Sequence, residues 1–276
     1  EYDDFTCPQC YFKKNKESIK NSFCVNILDF WIEEEEFNQE FSDMNYSDRN
    51  LYILTNFYEY GDIFDYFEKL EKIKFEFTED FYWDILFEMM IGLLYINELG
   101  YLHLDIHPGN YLVDQNGYIK LNDFSLSHKL NELKELDDLI EGDARYIAKE
   151  VFHFSHNSEV DERCDVFSLG MTLLELIAKI ELPYNGPLWH EFRSDDFQLS
   201  EKYMENCNIK NVKEFFLVIS EMIAPLSKRP KLIEIINKYS KLNERYKLLI
   251  DGKYKKSTDI PKLKVNDERN LLLKTI

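Results

Sequence analysis

His103-Leu104-Asp105-Ile106-His107-Pro108-Gly109-Asn110-Tyr111-Leu112-Val113-Asp114-Gln115-Asn116-Gly117-Tyr118-Ile119-Lys120-Leu121-Asn122-Asp123 is the stretch on which the reading of this chain turns. Its first part is too short between breakers to be a helix. Tyr111–Val113 and Tyr118–Leu121 are short apolar runs around the turn Asp114-Gln-Asn-Gly117, a hairpin pattern. If the two runs pair, Asn110 and Asp123 stand at the open ends of one hairpin, a few ångströms apart, and Asp105 precedes Asn110 by five residues. Two carboxylates and a carboxamide then converge at one edge. That donor set suits a hard, oxygen-loving cation such as magnesium and is consistent with phosphoryl transfer.

The rest of the chain sets bounds around this site. Its 276 residues are 45% apolar and 15% aromatic, enough for a substantial core, which excludes general disorder. A net charge of −19 argues against binding nucleic acid through its phosphates. The acid excess is uneven: the first hundred residues hold 23 acidic and 8 basic side chains, the remainder 29 and 25, so the balance changes just before the His103–Asp123 stretch. Five irregularly spaced cysteines form no disulfide framework and point to a reducing compartment, nucleus or cytoplasm. The longest apolar runs are interrupted by Glu88 and Glu175, so no membrane span is expected. The chain starts at Glu1 without methionine, as expected of an excerpt, a processed product or an incomplete sequence.

Strands are expected over Val25–Ile32 and Leu51–Tyr58, with the acidic run Glu33–Glu36 and the polar stretch Asn38–Asn50 as a solvated loop between them. Thr78 is a good N-cap, followed by Glu79 and Asp80 in the first turn. From Tyr82 to Ile96 apolar residues recur at helical spacing, and Gly100 suits the left-handed stop. Asp165–Ile180 is apolar nearly all round, as in a helix buried at a domain centre. Further helices are expected over Val212–Ala224 and Lys231–Lys241, and residues 242–276 read as a loosely held tail.

His103-Leu-Asp105-Ile-His107-Pro-Gly-Asn110 resembles the protein-kinase catalytic loop H-R-D-L-x-x-x-N, and Asp123-Phe124-Ser125, eighteen residues after Asp105, resembles D-F-G. Ala148-Lys149-Glu150 stands where A-P-E closes the activation segment. Asp165-Val-Phe-Ser-Leu-Gly170 resembles the start of the buried kinase helix F, and Lys228-Arg229-Pro230 supplies the arginine that would pair with Glu150. Within kinases, the chain resembles the Wee family of mitotic-inhibitor kinases in three segments. These are Glu141-Gly-Asp-Ala-Arg-Tyr146, Asn185-Gly-Pro-Leu-Trp-His-Glu-Phe-Arg193 and Leu54-Thr-Asn56-Phe-Tyr. The resemblance covers roughly residues 22 to 240.

It implies an α+β, protein-kinase-like fold: a remnant of the small β N-lobe with its hinge over 1–60, a helical C-lobe over 61–241, and a tail over 242–276. It also implies ATP and magnesium as cofactors and a protein substrate, with a tyrosine of a cyclin-dependent kinase as first candidate. By the same resemblance Asp105 would orient the acceptor hydroxyl and take its proton, and Asn110 and Asp123 would hold magnesium. The backbones of Phe57 and Glu59 would meet adenine, with Asn56 as gatekeeper and Leu112 under the ring. Glu150–Arg229 and Asp165 would be supporting ties, with His103 packed beneath Phe124.

The pattern departs in places. Leu104 replaces the arginine that clamps a phosphorylated loop in many kinases, which the Wee family also lacks, so activity should not need loop phosphorylation. His107 replaces the catalytic-loop lysine, exchanging a permanent charge for a titratable one, and is expected to weaken transfer. Ser125 for glycine is expected to restrict the loop. The first glycine is Gly61, so no glycine-rich loop precedes the hinge in this chain, and no strand-3 lysine is identified beyond the faint likeness of Tyr11-Phe-Lys13-Lys14. These departures keep a second reading open, a pseudokinase or kinase-fold interaction module with weak or no transfer. Cys7 and Cys10 lack a second pair at zinc spacing and read as a structural or accidental pair. His190 beside Trp189 reads as packing, not as a base.

Overall fold

The computed structural model describes residues 23–34, 49–133, 142–155, 159–204, 212–258, 261 and 263. Cys7, Cys10, the Tyr11–Lys14 segment and most of the polar stretch after Glu34 lie outside them. The architecture is α+β, with short antiparallel strands set on a mainly helical body.

Strands β1 (Ile27–Glu34) and β2 (Arg49–Thr55) pair antiparallel, with a bulge between Ile27 and Asp29. Glu33 and Glu34 thus extend a strand instead of beginning the expected loop. Phe30, Trp31, Ile32 and Leu51–Leu54 are exposed, so both faces of this ribbon meet solvent among the described residues. Its base is tied to the body through Val25 N–H, which donates to Leu121 O at 2.8 Å.

Helix α1 (Ile63–Lys72), which the sequence reading does not include, is capped by Asp62, whose carboxylate accepts the Asp65 N–H at 2.9 Å. Ile63, Tyr66, Phe67 and Leu70 form its buried stripe at i, i+3, i+4 and i+7. Helix α2 (Glu79–Glu98) begins as expected, with Thr78 Oγ1 accepting the Phe81 N–H at 3.2 Å. It ends at Gly100, whose φ of 82° no β-carbon would tolerate cheaply. Every residue from Phe81 to Ile96 is buried, including Asp84 and Glu88, so α2 is a core helix, not a one-faced surface one.

After β3 (Tyr101–Leu102) the chain crosses the catalytic stretch into β4 (Tyr111–Val113) and β5 (Ile119–Leu121). Their register, Tyr111 opposite Leu121 and Val113 opposite Ile119, is the expected hairpin, with Gly117 at φ 79° in its turn. Strand β6 (His128–Lys129) pairs with β3. Helix α3 (Lys149–Phe152) closes the activation segment, α4 (Arg163–Ala178) runs buried through the centre, and α5 (Gly186–Phe192) follows it.

Helix α6 (Val212–Met222) crosses α4 closely at Gly170: a β-carbon there would come within 2.7 Å of Ile223 Cγ2 and 2.8 Å of Met222 Cβ. Gly170→Ala would gain about 1 kcal/mol of helix propensity. Overpacking costs about 1–3 kcal/mol, so a net loss of about 1 kcal/mol is expected in urea unfolding; a gain would contradict the close crossing.

The C-terminal part corrects the sequence reading twice. The single helix expected over Lys231–Lys241 is two, α7 (Leu232–Lys238) and α8 (Ser240–Ile250), because Tyr239 adopts an extended conformation (φ −97°, ψ 120°). The loosely held tail expected from residue 242 is, over its first part, α8 and a docked segment. Leu242, Arg245 and Leu249 are buried, and Tyr254 packs 4.9 Å from the Phe87 ring.

Candidate active site

The hairpin does what its spacing requires: Asn122 N–H donates to Asn110 O at 2.9 Å, which sets Asp123 beside Asn110. Asn110 Nδ2 then reaches back to Asp105, donating to its carbonyl at 2.8 Å and to Oδ2 at 3.0 Å. The three predicted residues are thereby brought together. Asp105 Oδ1 also accepts the Asp143 N–H at 3.3 Å. Burial alone would raise the Asp105 pKa; hydrogen bonds from His107, Asp143 N–H and Asn110 outweigh it and hold the carboxyl below its ordinary value. Asp105 is therefore a carboxylate at neutral pH.

His107 Nε2 lies 3.5 Å from Asp105 Oδ2, while its Nδ1 accepts the Gly109 N–H at 3.1 Å. An acceptor nitrogen carries no proton, so in this geometry the ring proton sits on Nε2, facing Asp105. The ring stacks on Tyr146 at 5.9 Å.

Backbone strain is concentrated here. Leu104 has φ 65°, costly for a side chain of its type, and Asp165 holds it there: its carboxylate accepts His103 N–H at 2.8 Å and Leu104 N–H at 2.9 Å. Asp123 has φ 57°, which aspartate tolerates better, and its Oδ1 accepts the Ser125 N–H at 3.2 Å. Ser125 itself has no positive φ, so its β-carbon meets no strain of the kind expected for a glycine position.

His103 packs 5.4 Å from Phe124 and is fully buried. Its Nε2 faces the Asn122 carbonyl at 3.0 Å and its Nδ1 accepts Asp105 N–H at 3.3 Å, which fixes a neutral imidazole with the proton on Nε2. Burial lowers its pKa to about 4. The unfolded imidazole protonates near its ordinary 6.5 and the folded one only near 4, so stability present at pH 7 is lost as pH falls through that window. Asp165 acts oppositely: burial raises it to about 6, so its share is present in acid and is lost as pH rises through about 6. His103→Gln is expected to remove about 2 kcal/mol of acid sensitivity between pH 7 and pH 5 in urea unfolding; an unchanged slope would contradict a neutral buried His103.

On the nucleotide side, Asn56 and Phe57 are exposed, and Glu59 and Leu112 are half-buried. The backbones of Phe57 and Glu59 have no hydrogen-bond partner among the described residues. The chain is fixed just after them, since Tyr60 N–H donates to Val113 O at 3.3 Å and Asp62 bridges Leu112. For a divalent cation, the residues offer the Asn110 carboxamide oxygen and one oxygen of Asp123, neither with a hydrogen-bond partner among the described residues. No group of three or more His, Cys, Asp or Glu that could hold a metal occurs there. The two oxygens, one carboxamide and one carboxylate, are of the type that suits a hard divalent cation.

Three groups belong to the site that sequence reasoning did not assign to it. A β-carbon on Gly142 would lie 2.5 Å from Asp105 Oδ1 and 2.6 Å from Leu104 O, so the activation segment presses its backbone on the catalytic loop. Asp143 and Arg145 form a two-point ion pair, Nε to Oδ1 at 3.0 Å and Nη2 to Oδ2 at 2.6 Å. Arg193 donates to the carbonyls of Ile147 (2.8 Å), Ala144 (3.1 Å) and Arg145 (3.0 Å), and Trp189 Nε1 joins it on Ala144 O at 2.7 Å. The Trp189–Arg193 element is thus a clamp on the end of the activation segment. Beyond it Arg229 pairs with Glu150 at 2.5 Å, the expected tie.

Asp105, Asn110 and Asp123 gathered at one edge, and an activation segment closed by an Arg–Glu tie, have the layout of a protein kinase, and the protein kinase domain family matches residues 23–251. The chain belongs to that family. Within it the chain is a member of the Wee group. It is 38% identical over 169 residues to a mitosis inhibitor protein kinase of Candida albicans, covering 61% of this chain and 13% of that protein. It is 31% identical over 196 residues to a mitosis inhibitor protein kinase of Schizosaccharomyces pombe, covering 71% and 29%. To a membrane-associated tyrosine- and threonine-specific cdc2-inhibitory kinase of Drosophila melanogaster it is 35% identical over 150 residues, covering 53% and 26%. The chain spans less than a third of the length of each of these relatives. No helix among the described residues is long and apolar enough to cross a membrane.

Proposed function

We propose that the protein carrying this chain transfers the γ-phosphoryl group of ATP to a protein hydroxyl, and that the acceptor is a tyrosine of a cyclin-dependent kinase, in cell-cycle control. The convergence of Asp105, Asn110 and Asp123 carries the first part. The Trp189–Arg193 clamp and the names of the mitosis inhibitor relatives support the second.

In this reading Asp105 orients the acceptor hydroxyl and takes its proton, and its lowered pKa keeps it ionised for that task. Asn110 and Asp123 would hold magnesium, which when bound neutralises charge on the nucleotide phosphates. The unpartnered backbones of Phe57 and Glu59 meet adenine, with Asn56 as gatekeeper and Leu112 beneath the ring. His107 stands where a lysine would give a full positive charge. His107→Lys is expected to raise the transfer rate several-fold, by about 1 kcal/mol of transition-state stabilisation, in steady-state kinetics; an unchanged or lower rate would count against that role.

The acceptor is tested by incubating the full-length protein with a cyclin-dependent kinase and with that kinase's nucleotide-loop Tyr→Phe variant. Label in the first and not in the second supports the proposal, and label in neither, from an enzyme active on another acceptor, overturns it.

A further inference from the structure

The segment that follows α8 returns along the buried helix α2 as a strap. Asp84 and Glu88, four residues apart and so on one face of α2, receive it. Asp84 Oδ1 accepts from Arg245 Nε at 2.7 Å and from Ser257 Oγ at 3.2 Å, and its Oδ2 accepts the Ser257 N–H at 2.6 Å. Glu88 Oε1 accepts the Tyr254 hydroxyl at 3.1 Å. Lys256 Nζ stands 3.1 Å from Oε2, an ion pair without hydrogen-bond alignment. Farther on, Leu263 N–H donates to Tyr60 OH at 3.2 Å, beside the turn that carries Glu59.

Among the described groups that hold this strap, Ser257 is the exposed one; Tyr254 and Lys256 are half-buried, and Arg245 and Leu263 are buried. Its hydroxyl also accepts from Arg245 Nη2 at 3.2 Å, so it sits between a buried carboxylate and the cation that neutralises it. We propose that Ser257 is a phosphorylation site, and that a phosphoryl group on its Oγ releases the strap. In that step a protein kinase transfers the γ-phosphoryl of ATP. The Oγ–P bond forms, the bond from Pγ to the β,γ-bridging oxygen breaks, the hydroxyl proton passes to that kinase's base, and ADP leaves.

The modified side chain carries about −1.5 to −2 charges where an O–H stood 3.2 Å from Asp84. One of the two donors to Asp84 Oδ1, the Ser257 hydroxyl, is lost, and like charges face each other where one of them is buried. Arg245, which also reaches Asp80 at 3.2 Å, makes stronger charge-assisted bonds to the phosphate. Asp84 is then left buried without its cation, a state that strongly disfavours the docked strap.

The test uses the full 276-residue chain with phosphoserine installed at position 257 by amber suppression, beside the unmodified chain and Ser257→Ala. In the phosphoserine chain the amides of 251–258 should exchange roughly tenfold faster and the melting temperature should fall by about 5 °C. Ser257→Ala should move both by less than half as much, and the phosphoserine effect should shrink in an Asp84→Asn background, where the repelling charge is absent. Unchanged exchange, an equal effect from Ser257→Ala, or an undiminished effect with Asp84→Asn would overturn the proposal. Phosphopeptide mapping of the protein from its own cells gives the second readout: phosphate at Ser257 in some growth state supports the site, and its absence from all overturns it.

Discussion

Gly142→Ala is expected to cut phosphoryl transfer by about a hundredfold while leaving the melting temperature within a few degrees of the parent. The reason is steric and local. The new methyl would start 2.5 Å from Asp105 Oδ1 and 2.6 Å from Leu104 O, and neither can yield cheaply. Leu104 is already in a left-handed conformation pinned by Asp165, and Asp105 is held by Asn110 at 2.8 Å and 3.0 Å. The catalytic carboxylate or the activation segment must therefore shift by about an ångström, a displacement that costs transfer about two orders of magnitude. The loss should fall on kcat more than on KM for the nucleotide. A Gly142→Ala enzyme with parental kcat would show that the segment does not press on Asp105 during turnover.

Arg193→Met is expected to destabilise the protein by about 3 kcal/mol, a fall of about 8 °C in melting temperature, and to lower activity with it. Arg193 is buried against the rings of Trp189 (4.0 Å) and Phe167 (5.3 Å), and burial pushes its pKa down to about 9, with Glu150 the one acid that opposes the shift. Methionine would relieve that desolvation and keep much of the packing. It would also orphan the carbonyls of Arg145 and Ile147, while Ala144 O keeps Trp189 Nε1. Two buried carbonyls without donors cost about 1–3 kcal/mol each, which outweighs the relief. Arg193→Lys should not restore stability, since one ammonium cannot span carbonyls that a planar guanidinium reaches together. An unchanged melting temperature in Arg193→Met would remove the clamp from the account.

What the sequence could reveal follows the range of the interactions. The α2 cap and stop, and the hairpin that sets Asn110 beside Asp123, rest on neighbours a few residues apart, so spacing alone located them. The Glu150–Arg229 tie and the Asp165 bonds to the catalytic loop span 79 and about 60 residues and were legible through the kinase resemblance. Helix α1 was legible and unread: Asp62 as cap and the Ile63, Tyr66, Phe67, Leu70 stripe carry its signal.

The break at Tyr239 was not legible, because no glycine or proline marks it and α7 and α8 share a run of helix-forming residues. The strap was invisible for another reason. Arg245, Tyr254, Lys256 and Ser257 have no period, and the two carboxylates that hold them lie more than 160 residues upstream in an apolar helix. Gly142 and Arg193 stood in segments noted only for family likeness, and their contacts with the catalytic loop and the 144–147 carbonyls depend on the assembled fold.

The central claim is that Asp105 is the carboxylate at which phosphoryl transfer occurs, and the initial rate of label transfer from γ-labelled ATP by the full-length protein, with and without Asp105→Asn, tests it most directly. The account predicts measurable transfer by the parent and a rate lower by at least about a hundredfold in a variant that melts at the same temperature. Equal rates, or no transfer by a folded, magnesium- and ATP-supplied parent on any protein acceptor, would contradict it.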